Sequence, residues 1–390
     1  MPIGSGSFVV IGGGIIGAFT AFYLSRAGHK VTLVEAQEQL FLGSTGAAFG
    51  SLTPYSDPFF RGAIGRFAAT SVSRYKNEIV PLLSKQNLPE IHISEGSLLQ
   101  LFENEYEAQK YTSGAEAITA QDHVANAFNL LSRFEALALE PNITPEFHSA
   151  IEFVEPWIDL DALLHGLAHF LQEQSNVRLI FRAEIGRVQE RNNGVEVTFN
   201  ADAQTQTYDA AILATGASFR PIQGIPNPTI ELIRGDGAVA VTRDGKPLLQ
   251  RHVYMGNGFV TPRRDGRHLL GATYERTSVR QNDLPATERA SAKVKWLNTI
   301  LTSTQRLVPL LAECEVTKLW HGWRPSTPSG VPFVGKVAGH NHLFAAVGFI
   351  GLGITMAPAV GAALADAIGG RLDAIPDELS KHQADLWGAS

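Results

Sequence analysis

Phe8-Val9-Val10-Ile11 runs directly into Gly12-Gly13-Gly14-Ile15-Ile16-Gly17, and no other stretch restricts the fold of this chain as strongly. Four apolar residues without alternation mark a strand buried on both faces, as in a parallel sheet covered by helices. Helix-period apolar residues follow from Ala18 to Ala27, Gly28-His29 closes that helix, and Val31-Thr32-Leu33-Val34 is a second buried strand ending at Glu35. A complete βαβ unit thus lies between Phe8 and Glu35. Gly12 permits the tight turn, Gly14 lets a pyrophosphate approach the backbone, and Gly17 lets helix and strand pack closely. The helix N-terminus adds amide donors and a positive dipole end, while Glu35 can accept ribose hydroxyls. An acidic residue there repels a 2′-phosphate, which leaves NAD or FAD.

Three later segments favour FAD. Gly43-Ser44-Thr45-Gly46-Ala47-Ala48-Phe49-Gly50, followed by Ser51, is a run of small residues and hydroxyls able to close over a pyrophosphate and a flat ring. Ala214-Thr215-Gly216 ends a strand from Ala210 and offers a second glycine turn, placed where an interrupted cofactor domain resumes. Gly348-Phe349-Ile350-Gly351-Leu352-Gly353, then Ile354 and Thr355, precedes a helix expected from Pro358 to Ile368, whose dipole suits the negative charge of a reduced flavin.

A length of 390 residues exceeds what one core usually serves. Helical pattern covers 59–85 and 158–173, strand pattern covers 96–102, 177–181, 195–199 and 210–216, and a further helix is expected near 290–301. Short strands punctuated by Arg243-Asp244-Gly245 and Arg264-Asp265-Gly266 fill 221–320. The expected fold is α/β (α+β overall): a Rossmann-like FAD-binding domain from 1–85, 150–220 and 325–390, with an inserted substrate-binding domain on a mainly antiparallel sheet from 86–149 and 221–324. Residues 100–150 give little signal.

Composition removes several classes. With 44% hydrophobic and 18% charged residues the chain is not of the disordered type, and a net charge of −6 gives no pull toward nucleic acid or anionic membrane. The single cysteine, Cys314, cannot form an intrachain disulfide and reads as a small buried residue in a reducing compartment. The opening Met-Pro-Ile-Gly-Ser-Gly carries no basic leader, and the most apolar stretch, Phe344 to Val360, is broken by Gly348, Gly351, Gly353 and Pro358. A cytoplasmic protein without a membrane span or a metal site is expected.

The ordered set of motifs resembles the D-amino-acid oxidase, glycine oxidase and sarcosine oxidase family. Besides the three glycine segments, the resemblance rests on Phe259-Val260-Thr261-Pro262-Arg263-Arg264-Asp265-Gly266-Arg267 with Gly271-Ala272-Thr273, and on Trp323-Arg324-Pro325-Ser326-Thr327-Pro328 through Pro332. It implies oxidation of a C–N bond, with hydride passing to flavin N5 and an imine left for hydrolysis. It also implies that Arg324, the arginine of the Arg-Pro-x-Thr-Pro motif, pairs with a substrate carboxylate; the rigid guanidinium fork suits two oxygens at once. Around the flavin it implies contacts from Gly12, Gly14, Ile15, Ile16, Gly17, Glu35, Ala36, Gly43, Ser44, Thr45, Gly50, Ser51, Thr215, Gly216, Arg324 and 348–355, with Ile185 holding the adenine edge through its backbone. His252, Tyr254, Phe259, Tyr274, His321 and Trp323 are expected near the pocket wall, and Tyr254, Phe259 and His321 join Arg324 as candidates to touch substrate.

Two departures limit the resemblance. Phe259 stands where glycine-oxidase-like members tend to have tyrosine, so one hydroxyl for a small substrate is missing. Sarcosine-oxidase relatives attach flavin through a cysteine near the Thr-Pro motif, where this chain has Gly322 and its neighbours, so FAD is expected to be non-covalent. A second, local resemblance covers Gly46–Tyr55 and Phe259–Arg276: these look like the oxidase domain of the bifunctional enzyme that makes 5-methylaminomethyl-2-thiouridine in tRNA. Arg263, Arg264, Arg267 and His268 are the phosphate-facing candidates, read here as a solvated turn. Two alternatives to an amino-acid or amine substrate with a carboxylate therefore stand: a carboxymethylaminomethyl group on a tRNA uridine, and a hydroxy acid, which would need a base that is not evident. Oxygen or a quinone would take the electrons, and homo-oligomerisation is open.

Overall fold

The computed structural model describes residues 5–56, 62–84, 88–122, 128–200, 203–218, 220–277, 293–381 and 386–387. Its first sheet has six strands in the order Phe333–Lys336, Leu343–Val347, Ala210–Leu213, Ser7–Ile11, Lys30–Val34 and Val177–Ile180. All neighbours run parallel except the first pair. Val9, Val10, Ala211, Ile212 and Leu213 are fully buried, which explains the unbroken apolar runs: helices cover one face, and a three-stranded sheet of Ile185–Arg191, Gly194–Phe199 and Thr205–Tyr208 covers the other.

The first helix spans Ile15–Arg26, beginning three residues before the expected start. The closing helix differs more. It spans Gly353–Ile368 rather than starting at Pro358, which sits inside it. Proline cannot donate the hydrogen bond that Ile354 O would receive. The buried Tyr75 hydroxyl donates to that oxygen instead, at 2.8 Å, and Ser71 Oγ accepts the next amide, Ala359 N, at 3.1 Å. Tyr75 belongs to a π-helical turn, Tyr75–Ile79, after the helix Gly62–Arg74. Residues 59–61 and 85 of the expected 59–85 helix, and 290–292 of the expected 290–301 helix, lie outside the described residues; the latter helix is described as Val294–Leu307.

Among the described residues the second sheet has nine strands. Glu315–Ser326 pairs with Glu231–Val241, which pairs in turn with Arg267–Gly271 and Glu275–Thr277; Gly258–Pro262, His252–Met255, Leu98–Phe102, Ser149–Phe153 and Phe128–Ser132 follow. It is antiparallel except between His252–Met255 and Leu98–Phe102. One face buries Leu99, Ala238, Val253, Val260 and Leu270 against Ile300 and Leu307 of the Val294–Leu307 helix. The other face looks toward the loop after Gly43.

The weakly patterned stretch 100–150 holds the helix Glu105–Asp122, the strand Phe128–Ser132, the helix Arg133–Leu139 and the adjoining ends of the strands Leu98–Phe102 and Ser149–Phe153. A capping box opens the last of these: Ser132 Oγ accepts from Glu135 N, and Glu135 accepts from Ser132 N. Cys314 is half-buried rather than fully enclosed. Among the described residues no helix is long and apolar enough to cross a membrane, and no cluster of His, Cys, Asp or Glu could hold a metal ion.

Candidate active site

Two helix N-termini meet at the end of the parallel sheet: a Cβ on Gly353 would lie 3.8 Å from Ile15 Cγ2. Gly12 turns with φ +113°, and a side chain there would strike Ala214 O, while one at Gly17 would strike Gly12 O. Thr45 Oγ1 accepts from Ile15 N at 3.0 Å, fixing the Ser44–Ala47 turn above the first helix. The two carboxylate oxygens of Glu35 accept from Gly13 N and Gln37 N, each at 2.7 Å, which holds the carboxylate beside the glycine turn with lone pairs to spare. Ile350 N donates to Pro325 O at 2.7 Å, holding Ile350 at φ +49° and tying the glycine-rich 348–353 turn to the second sheet.

The second sheet contributes the facing wall through strict alternation. Ile233, Gly235 and Gly237 stand opposite Arg324, Gly322 and Trp320, and side chains directly opposite in an antiparallel ladder share a face. Phe259 stands opposite both Gly271 and Tyr254. The glycines on this face admit close neighbours: the Arg324 guanidinium over Gly235, Trp320 over Gly237, the Phe49 ring over Gly271 and Ala47 over Gly322. Trp320 Nε1 donates to Ala47 O at 3.0 Å and Ser44 Oγ to Trp323 O at 2.5 Å, so the cofactor-side loop is pinned to the strand that carries Arg324. Phe49 lies 5.7 Å from Phe259 and 5.4 Å from Trp320, ring centre to ring centre.

A family model described as DAO, FAD dependent oxidoreductase, matches residues 7–367. The chain belongs to the DAO family of FAD-dependent oxidoreductases. It is 25% identical over 394 residues to a glycine oxidase of Geobacillus kaustophilus, covering 96% of each chain, and 26% identical over 378 residues to a glycine oxidase of Pseudomonas aeruginosa, covering 93% and 94%. The crystal structure of glycine oxidase from Geobacillus kaustophilus superposes with a TM-score of 0.83 at 22% identity, covering 96% of this chain and 98% of that one.

The DAO-family cofactor fits what the cradle leaves open. A Cβ on Gly43, Gly216 or Gly351 would meet nothing within 4 Å, and the buried hydroxyls of Thr215 and Ser51 have no partner among the described residues. Thr355 Oγ1 instead takes the Thr53 amide at 3.1 Å. Ile185 is buried at the start of the three-stranded sheet.

Arg324 is half-buried, and Nη1 donates to Thr273 O at 3.1 Å; its other donors have no hydrogen bond, and no carboxylate pairs with it, among the described residues. Burial lowers its pKa from the usual arginine range, partly offset by Tyr274, Asp236 and Tyr254. Burial raises the Tyr254 hydroxyl, which feels the Arg324 charge. Two expectations need correction. His321 and Trp323 project from the face of the strand opposite Arg324, because alternate residues of a strand point apart; His321 sits edge-on to Trp323, 6.4 Å between centres. The Arg263–His268 turn is also not solvated throughout. Arg263 and His268 are buried, and Arg263 stacks 4.6 Å from the Trp157 ring centre while donating to Phe49 O and to Pro262 O, clamping the same cofactor-side loop. Trp320, Phe49 and Thr273 are wall residues missed from sequence; the spacing Trp320-x-Gly322-x-Arg324 carries a period of two that points to Trp320.

Proposed function

We propose that this DAO-family enzyme oxidises the C–N bond of an amino acid or secondary amine that bears a carboxylate, of glycine, sarcosine or D-amino-acid type, with oxygen or a quinone as final acceptor. The observation that carries this reading is Arg324: a half-buried guanidinium that has no ion pair among the described residues and faces the cofactor-side loop. Bound FAD would supply the two-electron acceptor. The protein's part is placement. Arg324 would grip the carboxylate with two parallel N–H donors, which fixes the direction in which the amine-bearing carbon points. Phe49, Phe259 and Trp320 would keep the amine side dry and favour its neutral form, and Tyr254, held protonated by burial, can donate one hydrogen bond beside Arg324. The names of the glycine oxidase relatives support the same class.

The test is anaerobic bleaching of the protein's flavin by glycine, sarcosine, larger N-substituted glycines, and D- and L-amino acids, beside Arg324→Ala. Bleaching by one class, with kcat/KM falling roughly 100-fold or more in the variant, is expected from loss of a charge-assisted pair. A flavin that no amine bleaches would transfer the assignment to the tRNA-nucleoside or hydroxy-acid reading.

A further inference from the structure

We infer that Thr273, locked from behind by the Arg234–Asp236 ion pair, is the positioning residue that sets how Arg324 presents its donors to a carboxylate; this rests on the role proposed above for Arg324. Arg234 and Asp236 are two apart on one strand and so share the face turned away from Arg324. Their side chains are 2% and 3% exposed, and the pair is two-pronged: Nε to Oδ2 at 3.1 Å and Nη2 to Oδ1 at 2.9 Å. Desolvating two charges makes such a pair a poor stabilising device in itself, which directs attention to what it holds.

It holds Thr273. Along the Glu231–Val241 strand, residues 232–234 pair with 277–275 and residues 238–241 with 270–267, leaving a gap in the ladder opposite 235–237. Buried Thr273 fills it. Its hydroxyl accepts the Asp236 amide at 2.8 Å and donates to Asp236 Oδ2 at 3.0 Å, while its carbonyl accepts from Arg324 Nη1 at 3.1 Å. One residue therefore joins the two faces of the sheet: hydroxyl to the ion pair behind, carbonyl to the guanidinium in front. Gly235, directly beneath that guanidinium, sets its height, and the Thr273 carbonyl sets its rotation. Asp236 is hydrogen-bonded to Arg234 and Thr273, and no carboxylate among the described residues pairs with Arg324, which leaves its guanidinium to meet an incoming anion.

Acetate, the smallest organic carboxylate, is the probe, titrated into the FAD-loaded enzyme while the flavin absorbance is read, with acetamide as the neutral control. Thr273→Val should weaken acetate binding roughly tenfold while FAD content is unchanged, and Thr273→Ser, which keeps the hydroxyl, should restore it to within about twofold. With the panel amine that bleaches the flavin, the loss should lie in KM and not in kcat. Acetate binding within about twofold of wild type in Thr273→Val, alongside its loss in Arg324→Ala, would overturn the inference and leave the Arg324 assignment standing. Acetate binding retained in Arg324→Ala would remove that assignment, and this one with it. Should Thr273→Val fail to load FAD, Asp236→Asn carries the test: the same selective weakening is expected, and unchanged acetate affinity overturns the proposal.

Discussion

His252 shows how far the interior can shift a single group. It is 2% exposed, its Nδ1 lies 3.0 Å from Thr261 Oγ1, and its ring stacks on Phe259. Burial, helped by the charge of Arg263, pulls its pKa from 6.5 to about 3, and burial brings His268 to about 4. Both are neutral in the folded protein, whereas the unfolded chain takes up their protons near the ordinary value. The folded state is therefore fully favoured above about pH 6.5 and loses up to about 1.4 kcal/mol per pH unit for each histidine as pH falls below it. His252→Gln should flatten the fall of the urea unfolding midpoint between about pH 6 and pH 4 by close to one proton's worth, and an unchanged slope would contradict a buried neutral imidazole. Tyr75 is the second telling residue. Tyr75→Phe leaves Ile354 O unpaired beside Pro358 and should cost about 1–3 kcal/mol in denaturant unfolding; a smaller effect would mean that water or backbone adjustment replaces the hydroxyl.

At the scale of elements, the Glu315–Ser326 and Glu231–Val241 strands act as one unit that presents Arg324 across a glycine floor. Gly235→Ala adds a Cβ where the guanidinium now lies, and a long flexible side chain gives way more easily than a strand. The fold should survive, with Arg324 lifted and kcat/KM for the preferred amine reduced roughly tenfold, measured by steady-state kinetics beside a thermal melt. Wild-type kinetics in Gly235→Ala would show that Arg324 can bind from a second position. These elements were unequally legible. The βαβ unit could be read because both strands are buried on both faces and the glycine turn between them is constrained by backbone contact. Local rules place proline at the first turn of a helix, which starts the expected closing helix at Pro358; Tyr75 and Ser71 from a distant segment make its interior position tolerable. Arg324 is identifiable from its motif, and alternation along the strand fixes His321 on the opposite side.

Across the whole molecule, the glycine turns of the parallel sheet and the second sheet meet at the loop Gly43–Ser51, joined through Trp320, Ser44 and Arg263. A ligand that fills this seam binds the folded state alone. Added FAD should raise the melting temperature of the apo-protein progressively, reaching about 2.7 kcal/mol of stabilisation at a hundredfold excess over Kd. A melt insensitive to FAD would mean that the seam is not the cofactor site. By itself the sequence determined the cofactor half, the glycine turns and the guanidinium on which the proposed function rests, since these follow from local backbone geometry and from chemistry that few residue types can supply. The tertiary structure decided which residues share the wall with Arg324. Thr273 and Phe49 are brought to it from two separate segments to join Trp320 of its own strand, and Asp236 is linked to it through Thr273, from the other face of the sheet. Such assignments depend on strand register and on which glycines leave room for which neighbours, and both are properties of pairings between segments far apart in the chain.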